Sequence, residues 1–394
     1  MNLPTKTAID ELALFGGAPS FVPEISTSNL VRPDIERFLG YGRELYAGVP
    51  LVERLESRLA AYHGTKHAVA MANGFWALAL AIRALALPGR SEVVMPSLTY
   101  RRLADIVAWV GLVPHYCEVE PETLAISAAT ARPCINERTA LLLGVHPIVN
   151  CCDVEGLVAL ARETGLPLMF DGVESMHETV RGRRIGSWGR AEVFSMHASK
   201  LVNGFEGGYV TTDDDALAAR LAAARDRGVD DERAPAELGV SSRLQGLHAA
   251  MTLAGLDELD AQVLRNRERY RVYQAELARL PGIRLLAFDE TEQTSFKTIV
   301  VELLDDWPLT RDRTVQALNR EGVLARAYYA PPLHRKTTSY ATVPVELPLT
   351  DRLAQRYLLL PCGDRVDADA IRGTVALLRL LRERGAEIAA RWPQ

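Results

Sequence analysis

Short apolar runs separated by helix-like stretches constrain this chain more than any other feature. Between residues 68 and 212 the runs are AVAMA (68–72), EVVM (92–95), TALLLGV (139–145), PLMF (167–170), AEVF (191–194) and YVTT (209–212). Between most of them lie WALALAIRALAL, RRLADIVAWVG and VEGLVALARETG, whose apolar residues recur at three and four positions. Upstream, Leu51 to Tyr62 (LVERLESRLAAY) has the same helical period. Runs that are continuously apolar suit strands covered on both faces, and strands joined through crossover helices pair in parallel. The expectation is an α/β domain built on a large, mostly parallel sheet of the seven-stranded type.

From about Asp213 the texture turns helical. DDALAARLAAARDRG is followed by SRLQGLHAAMTLAGLDELDAQVLRNRERYRVYQAELARL, a long periodic stretch that reads as a bridge between domains. Beyond it come apolar runs at IRLLAF (283–288) and TIVVEL (298–303), a helix near TRDRTVQALNREG, and a last helix, DADAIRGTVALLRLLRERGAEIAARW. This predicts a small α+β domain over residues 261–394, with residues 1–260, N-terminal segment included, forming the large one. A chain of 394 residues, 48% of them hydrophobic, has material for two cores.

The formal charge of −5 implies neither a nucleic-acid partner nor an anionic membrane surface. No apolar stretch reaches the roughly 18 to 20 residues of a membrane-spanning helix, and the amino terminus lacks the pattern of a signal peptide. The five cysteines show neither C-x-x-C nor metal-like spacing with histidine, so no metal site is expected and a reducing cytoplasm is. Among the basic residues only five are lysine, Lys6, Lys66, Lys200, Lys297 and Lys336, which makes lysine-dependent chemistry easy to place.

Ligands of α/β sheets collect at the carboxyl ends of the strands. After AVAMA, Asn73-Gly74-Phe75-Trp76 opens a helix, where backbone N–H groups beside a glycine suit a phosphate. After EVVM comes Pro96-Ser97-Leu98-Thr99-Tyr100, a hydroxyl-rich turn ending in an aromatic. After PLMF, Asp171 puts a carboxylate at the end of a buried strand, where it is costly without a cation or hydrogen-bond donors. After AEVF, Ser195 begins SMHASK, which carries Lys200 into the glycine-containing turn LVNGFEGG. Taken singly, these are an ordinary strand-to-helix turn, a capped helix start, a carboxylate with a structural arginine, and a surface lysine. Together they supply what a phosphorylated pyridine aldehyde needs: an amine, a carboxylate for the ring nitrogen, an aromatic for the ring face and phosphate donors.

Those segments resemble the DegT/DnrJ/EryC1/StrS family of pyridoxal-phosphate-dependent sugar aminotransferases, which have the aspartate-aminotransferase-like fold. The similarity runs from LVERLESRLAAYHGTKHAVAMANG through DGVESMHETVRGRRIGSWGRAEVFSMHASKLVNGFEGG to ARAYYAPPLH. By this resemblance Lys200 is the Schiff-base lysine and Asp171 the partner of the pyridine nitrogen. Tyr100 lies against the ring; Gly74, Phe75 and Ser195 fall in the phosphate-contacting turns; His334 and Tyr329, in the YYAPPLH segment, belong to the substrate pocket. The resemblance implies a homodimer with shared active sites, a donor such as glutamate or glutamine, and a nucleotide-activated keto sugar as acceptor in amino-sugar or natural-product biosynthesis.

The departures matter as much. Where the family usually reads DAAQS or DAAHS, this chain has DGVES, so Glu174 replaces a neutral or imidazole group beside the phenolic oxygen of the cofactor. Such a carboxylate must carry a proton or face a cation, an arginine or His177. Phe75 replaces the usual Thr and leaves only backbone contact. Ser241, in GVSSRL, replaces an Asn that commonly reaches the phosphate of the neighbouring subunit. These changes keep open a keto-cyclitol or other non-sugar acceptor, and a noncatalytic cofactor-binding sensor.

Overall fold

The computed structural model describes residues 6–26, 35–227 and 239–392. Counting only the strands of the two main sheets, the large sheet holds β1 (His67–Met71), β2 (Glu92–Pro96), β3 (Val113–Cys117), β4 (Thr139–Val145), β5 (Leu168–Asp171), β6 (Ala191–Ser195) and β7 (Gly208–Thr212). Their spatial order is β1-β7-β6-β5-β4-β2-β3, with β7 antiparallel to both neighbours and the other pairings parallel.

Every residue of β4 is buried, as its unbroken TALLLGV run requires of a strand covered on both faces. On one face Leu142, Phe170, Phe194 and Tyr209 pack against helices Leu51–His63, Val154–Thr164 and Gly246–Asp257. On the other, Leu141, Leu143, Met169 and Val193 meet helices Gly74–Leu85, Leu103–Trp109 and Asp215–Arg225. The alternation of adjacent residues between the two cores is the period of a pleated strand. β3 escaped the apolar-run reading because VPHYC is interrupted by Pro114 and His115. Its place at the sheet edge is where a proline can be accommodated.

The small unit has an antiparallel sheet of β8 (Ile283–Leu285), β9 (Ile299–Leu303), β10 (Arg326–Ala327) and β11 (Tyr357–Leu360), ordered β8-β9-β11-β10. The helix Leu259–Leu277 links the cores: Leu259 is buried in the large one, Tyr270, Tyr273 and Leu277 in the small one.

The N-terminal segment departs from its expected place in the large domain. Ile9, Leu12, Phe21 and Ile25 are buried in the small-unit core, and Ile25–Ser26 pairs in parallel with Val323–Leu324. Buried Glu321 holds the segment down, accepting from Ser20 N–H at 3.0 Å, Ser20 Oγ at 2.7 Å and Lys6 Nζ at 2.6 Å. An apolar segment packs where a complementary surface is free, whatever its neighbours in sequence, and here that surface belongs to the small unit.

Candidate active site

The strand directions bring four chain segments to one edge of the sheet. β5 and β6 end at Asp171 and Ser195, β1 is followed by Asn73-Gly74, and β7, running the other way, starts at Gly208 opposite Ser195 and Met71. A cavity of about 680 Å³ opens there, lined among others by Gly74, Phe75, Tyr100, His146, Asp171, Glu174, Ser195, Lys200, Arg326 and Tyr329.

One wall is the start of helix Gly74–Leu85. Asn73 caps it, its Oδ1 accepting from Trp76 N–H at 3.1 Å. A Cβ on Gly74 would lie 3.3 Å from Ser195 Cβ, and one on Gly208 would come within 2.6 Å of the Asn73–Gly74 peptide. The two glycines therefore let strand, helix start and serine close up, leaving helix N–H groups and the Ser195 hydroxyl on one side of the cavity. The Phe75 ring packs edge-on to Trp76 and Trp109, with centroids at 5.4 and 5.9 Å, and the residue lines the cavity edge.

Asp171 sits at the floor, 4% exposed, and its Oδ1 accepts from Val173 N–H at 3.1 Å. Burial pushes its carboxyl up to about 6, against the pull of that N–H and of the Lys200 charge. The next residue is glycine because a Cβ on Gly172 would meet the Phe194 ring at 2.6 Å.

Lys200 follows β6 in a turn closed by its N–H to His197 O at 2.8 Å. Its amine pairs with Glu174 Oε1, while Glu174 Oε2 accepts from Lys297 Nζ at 2.7 Å. Burial works against charge on Glu174, yet the two lysines outweigh it and bring the carboxyl down to about 2. Glu174 is therefore ionised, and the cation that offsets it is lysine. Among the described contacts no arginine takes that part, and His177 does not either: its Nδ1 bonds Tyr62 OH at 2.8 Å, and burial, helped by Arg184, lowers the ring to about 4.

The remaining candidates divide. Tyr100 is 47% exposed and lines the cavity. Tyr329 lines it too, held at φ +40°, a conformation a bulky residue adopts only where its surroundings enforce it. His334 does not reach the cavity wall: its Nδ1 is 2.7 Å from Ser97 Oγ and its Nε2 3.1 Å from Asp351, pinning the small unit to the turn after β2. Ser241 is exposed, bridges to Asp226 through the backbone and is not part of this chain's cavity. Sequence reasoning missed Lys297 and His146. Lys297 had one readable signal, its place among only five lysines and immediately before an apolar run; His146 simply follows β4.

The profile of the DegT/DnrJ/EryC1/StrS aminotransferase family matches residues 41–379. The chain belongs to this family. It is 32% identical over 289 residues to GDP-perosamine synthase of Caulobacter vibrioides, covering 71% of this chain and 76% of that protein. It is 30% identical to the erythromycin biosynthesis sensory transduction protein EryC1 of Saccharopolyspora erythraea, covering 89% and 95%. Among solved structures, DesI, crystallised in the presence of its TDP-sugar product, superposes with a TM-score of 0.92 at 35% identity, covering 98% of this chain and 99% of DesI. The protein is an aminotransferase of the aspartate-aminotransferase-like fold. Among the described residues no helix is long and apolar enough to cross a membrane, and no cluster of metal-binding side chains occurs.

Proposed function

We propose that the cavity holds pyridoxal 5′-phosphate and that the protein transfers an amino group from an amino-acid donor, glutamate or glutamine, to a nucleotide-linked keto sugar. The observation that carries this reading is the meeting, in one cavity at the strand ends, of the Lys200 amine, held on Glu174, and buried Asp171, which lacks a salt-bridge partner among the described residues. A buried carboxylate of that kind suits a cationic ring nitrogen. The acceptor class follows from the relatives' names: a GDP-sugar enzyme, a TDP-sugar product and a dTDP-amino-sugar transaminase of Streptomyces venezuelae that is 31% identical.

When bound, the cofactor supplies an electron sink that lets nitrogen pass from donor carbon to acceptor carbon. The chain's own residues do the rest. Asp171 holds the proton on the ring nitrogen, and its burial strengthens that contact. The Gly74 and Phe75 N–H groups and Ser195 Oγ hold the phosphate, and Tyr100 covers one ring face. The Lys200 amine would hold the cofactor covalently and, once freed by the donor, would serve as the base that takes the proton from the donor α-carbon and as the acid that gives it back within the same half-reaction. Tyr329 and Arg326 border the space left for donor and acceptor.

Borohydride reduction of the loaded protein followed by peptide mapping tests the core of this reading. The adduct is expected on Lys200, and Lys200→Ala should lack both the near-ultraviolet to visible band and the donor half-reaction. An adduct on Lys297 or any other lysine overturns it. Mass spectrometry of products from a panel of nucleotide keto sugars and keto-cyclitols then separates the acceptor classes.

A further inference from the structure

Glu174 is ionised between two lysines, each on its own oxygen: Lys200 on Oε1 and Lys297 on Oε2. The separation matters because either amine can leave without disturbing the other contact. Lys297 comes from the small unit, just before β9, and its side chain is 9% exposed; that of Glu174 is 17% exposed. Neither charge is well solvated, so each depends on the other.

Consider the site when Lys200 leaves Glu174 to hold the cofactor. Without Lys297, the carboxylate would face a phenolic oxygen with no ammonium at hand, and its attraction would keep the Lys200 proton in place. We propose that Lys297 is the resident counter-cation of Glu174, a positioning residue that keeps this carboxylate charged and fixed while the Lys200 amine is released to the cofactor. The inference rests on the reading of Lys200 as the cofactor-holding lysine.

The surrounding groups are compatible with this division. Asp171, Tyr328 and Tyr329 feel the Glu174 charge from the large-domain and small-unit sides. Near Lys297 stand Glu178 and Cys362. Glu178 is committed elsewhere, accepting from Ser295 Oγ at 2.8 Å and Ser295 N–H at 3.2 Å, and burial raises its carboxyl. Burial raises the Cys362 thiol to about 11, so it carries no charge at neutral pH. Tyr328 and Tyr329 likewise stay neutral, because burial raises both phenols. Among the described residues, Glu174 is the carboxylate paired with Lys297, at 2.7 Å.

The test is a cycle of Lys297→Met, Glu174→Gln and the double variant, with two readouts. The first adds pyridoxal phosphate to cofactor-free protein and follows the rate of the near-ultraviolet to visible band between about pH 6 and pH 10. Lys297→Met should move the profile about one pH unit alkaline, which is about tenfold slower capture at fixed pH below the midpoint. The double variant should return to within about twofold of Glu174→Gln, since the carboxylate needing a cation is gone. The second readout is the urea midpoint of the same proteins without cofactor, where Lys297→Met should be the least stable and the double variant should recover. A Lys297→Met profile that overlays the unsubstituted one, or a double variant as slow as Lys297→Met, overturns the proposal. If even the unsubstituted protein forms no band, the role of Lys200 falls instead. The urea cycle then judges the 174–297 pairing alone, and additive effects refute it.

Discussion

Asp171→Asn should make the cofactor-free protein more stable at neutral pH while abolishing most turnover. The Asp171 carboxyl titrates at about 6 in the fold, against an ordinary value of 3.8, chiefly because it is buried. The folded state therefore binds this proton more tightly than the unfolded chain does. Stability from this group is full below about pH 4, falls as pH rises from there to about 6, and stays low above. A displacement of about two units at about 1.4 kcal/mol each amounts to about 3 kcal/mol. Asparagine has nearly the shape of the protonated acid and never ionises, so it removes that loss. Urea unfolding of both cofactor-free proteins, at one protein concentration and at about pH 4 and pH 7.5, reads the effect. The variant's advantage should grow by about 2 kcal/mol between the two pH values, since the loss has already begun at pH 4. Glu174 has the opposite dependence: its carboxyl is lowered to about 2, so its contribution is full above 4.5 and fades as pH falls toward 2. It is present in both proteins, so only the part coupled to the Asp171 charge enters the comparison. With pyridoxal phosphate added, the order should reverse, because only the aspartate gains a cationic partner. A stability difference identical at the two pH values would refute the claim that Asp171 is held at an electrostatic cost until the ring nitrogen arrives.

Two further outcomes follow from the geometry. Gly208→Ala drives a Cβ to 2.6 Å from the Asn73–Gly74 peptide, so it should cost about 1 to 3 kcal/mol in urea and weaken cofactor binding, whereas Gly40→Ala, where a Cβ meets nothing within 4 Å, should do neither. Mixing inactive Lys200→Ala with an inactive Ser241→Ala/Arg243→Ala protein should restore activity if the exposed Ser241 and Arg243 serve the site of a second copy; no recovery, together with a monomer in sedimentation, would exclude shared sites.

The large sheet was legible because six of its seven strands are largely buried and read as short, mainly apolar runs, even though β6 carries Glu192 and β7 ends in two threonines. The edge strand β3 was not, since an edge needs no such run and tolerates Pro114. In the small unit, β11 lies in YLLL and β10 is the two-residue Arg326–Ala327, each too short to stand out from the loops around it. Within the site, Lys200, Asp171, Gly74, Phe75, Tyr100 and Ser195 stood out because they lie at, or within a few residues past, the carboxyl ends of large-domain strands. His334 resembled a pocket residue by motif alone, and contacts with Ser97 and Asp351 draw it behind the wall. Glu174 was recognised as a departure, but its compensation was sought among neighbours in sequence. The answer, Lys297, lies 123 positions away, a distance that no local pattern encodes.

Glu321 and Ser20 meet 301 positions apart, and this separation governs the order in which the protein can be assembled. Residues 9–25 leave the ribosome long before the surface that buries Phe21 and Ile25 has been made, so those side chains must wait in water or in the care of a chaperone. Closing so long a loop adds little to the final free energy, because closure entropy grows only logarithmically with length, but it delays the step that depends on it. The large sheet, complete by residue 212, can condense first, and docking of the N-terminal segment then completes the small unit. Lys297 and Tyr329 belong to that later half, so the chain acquires the helix start at Gly74 and Lys200 before it acquires the wall that closes the cavity over them.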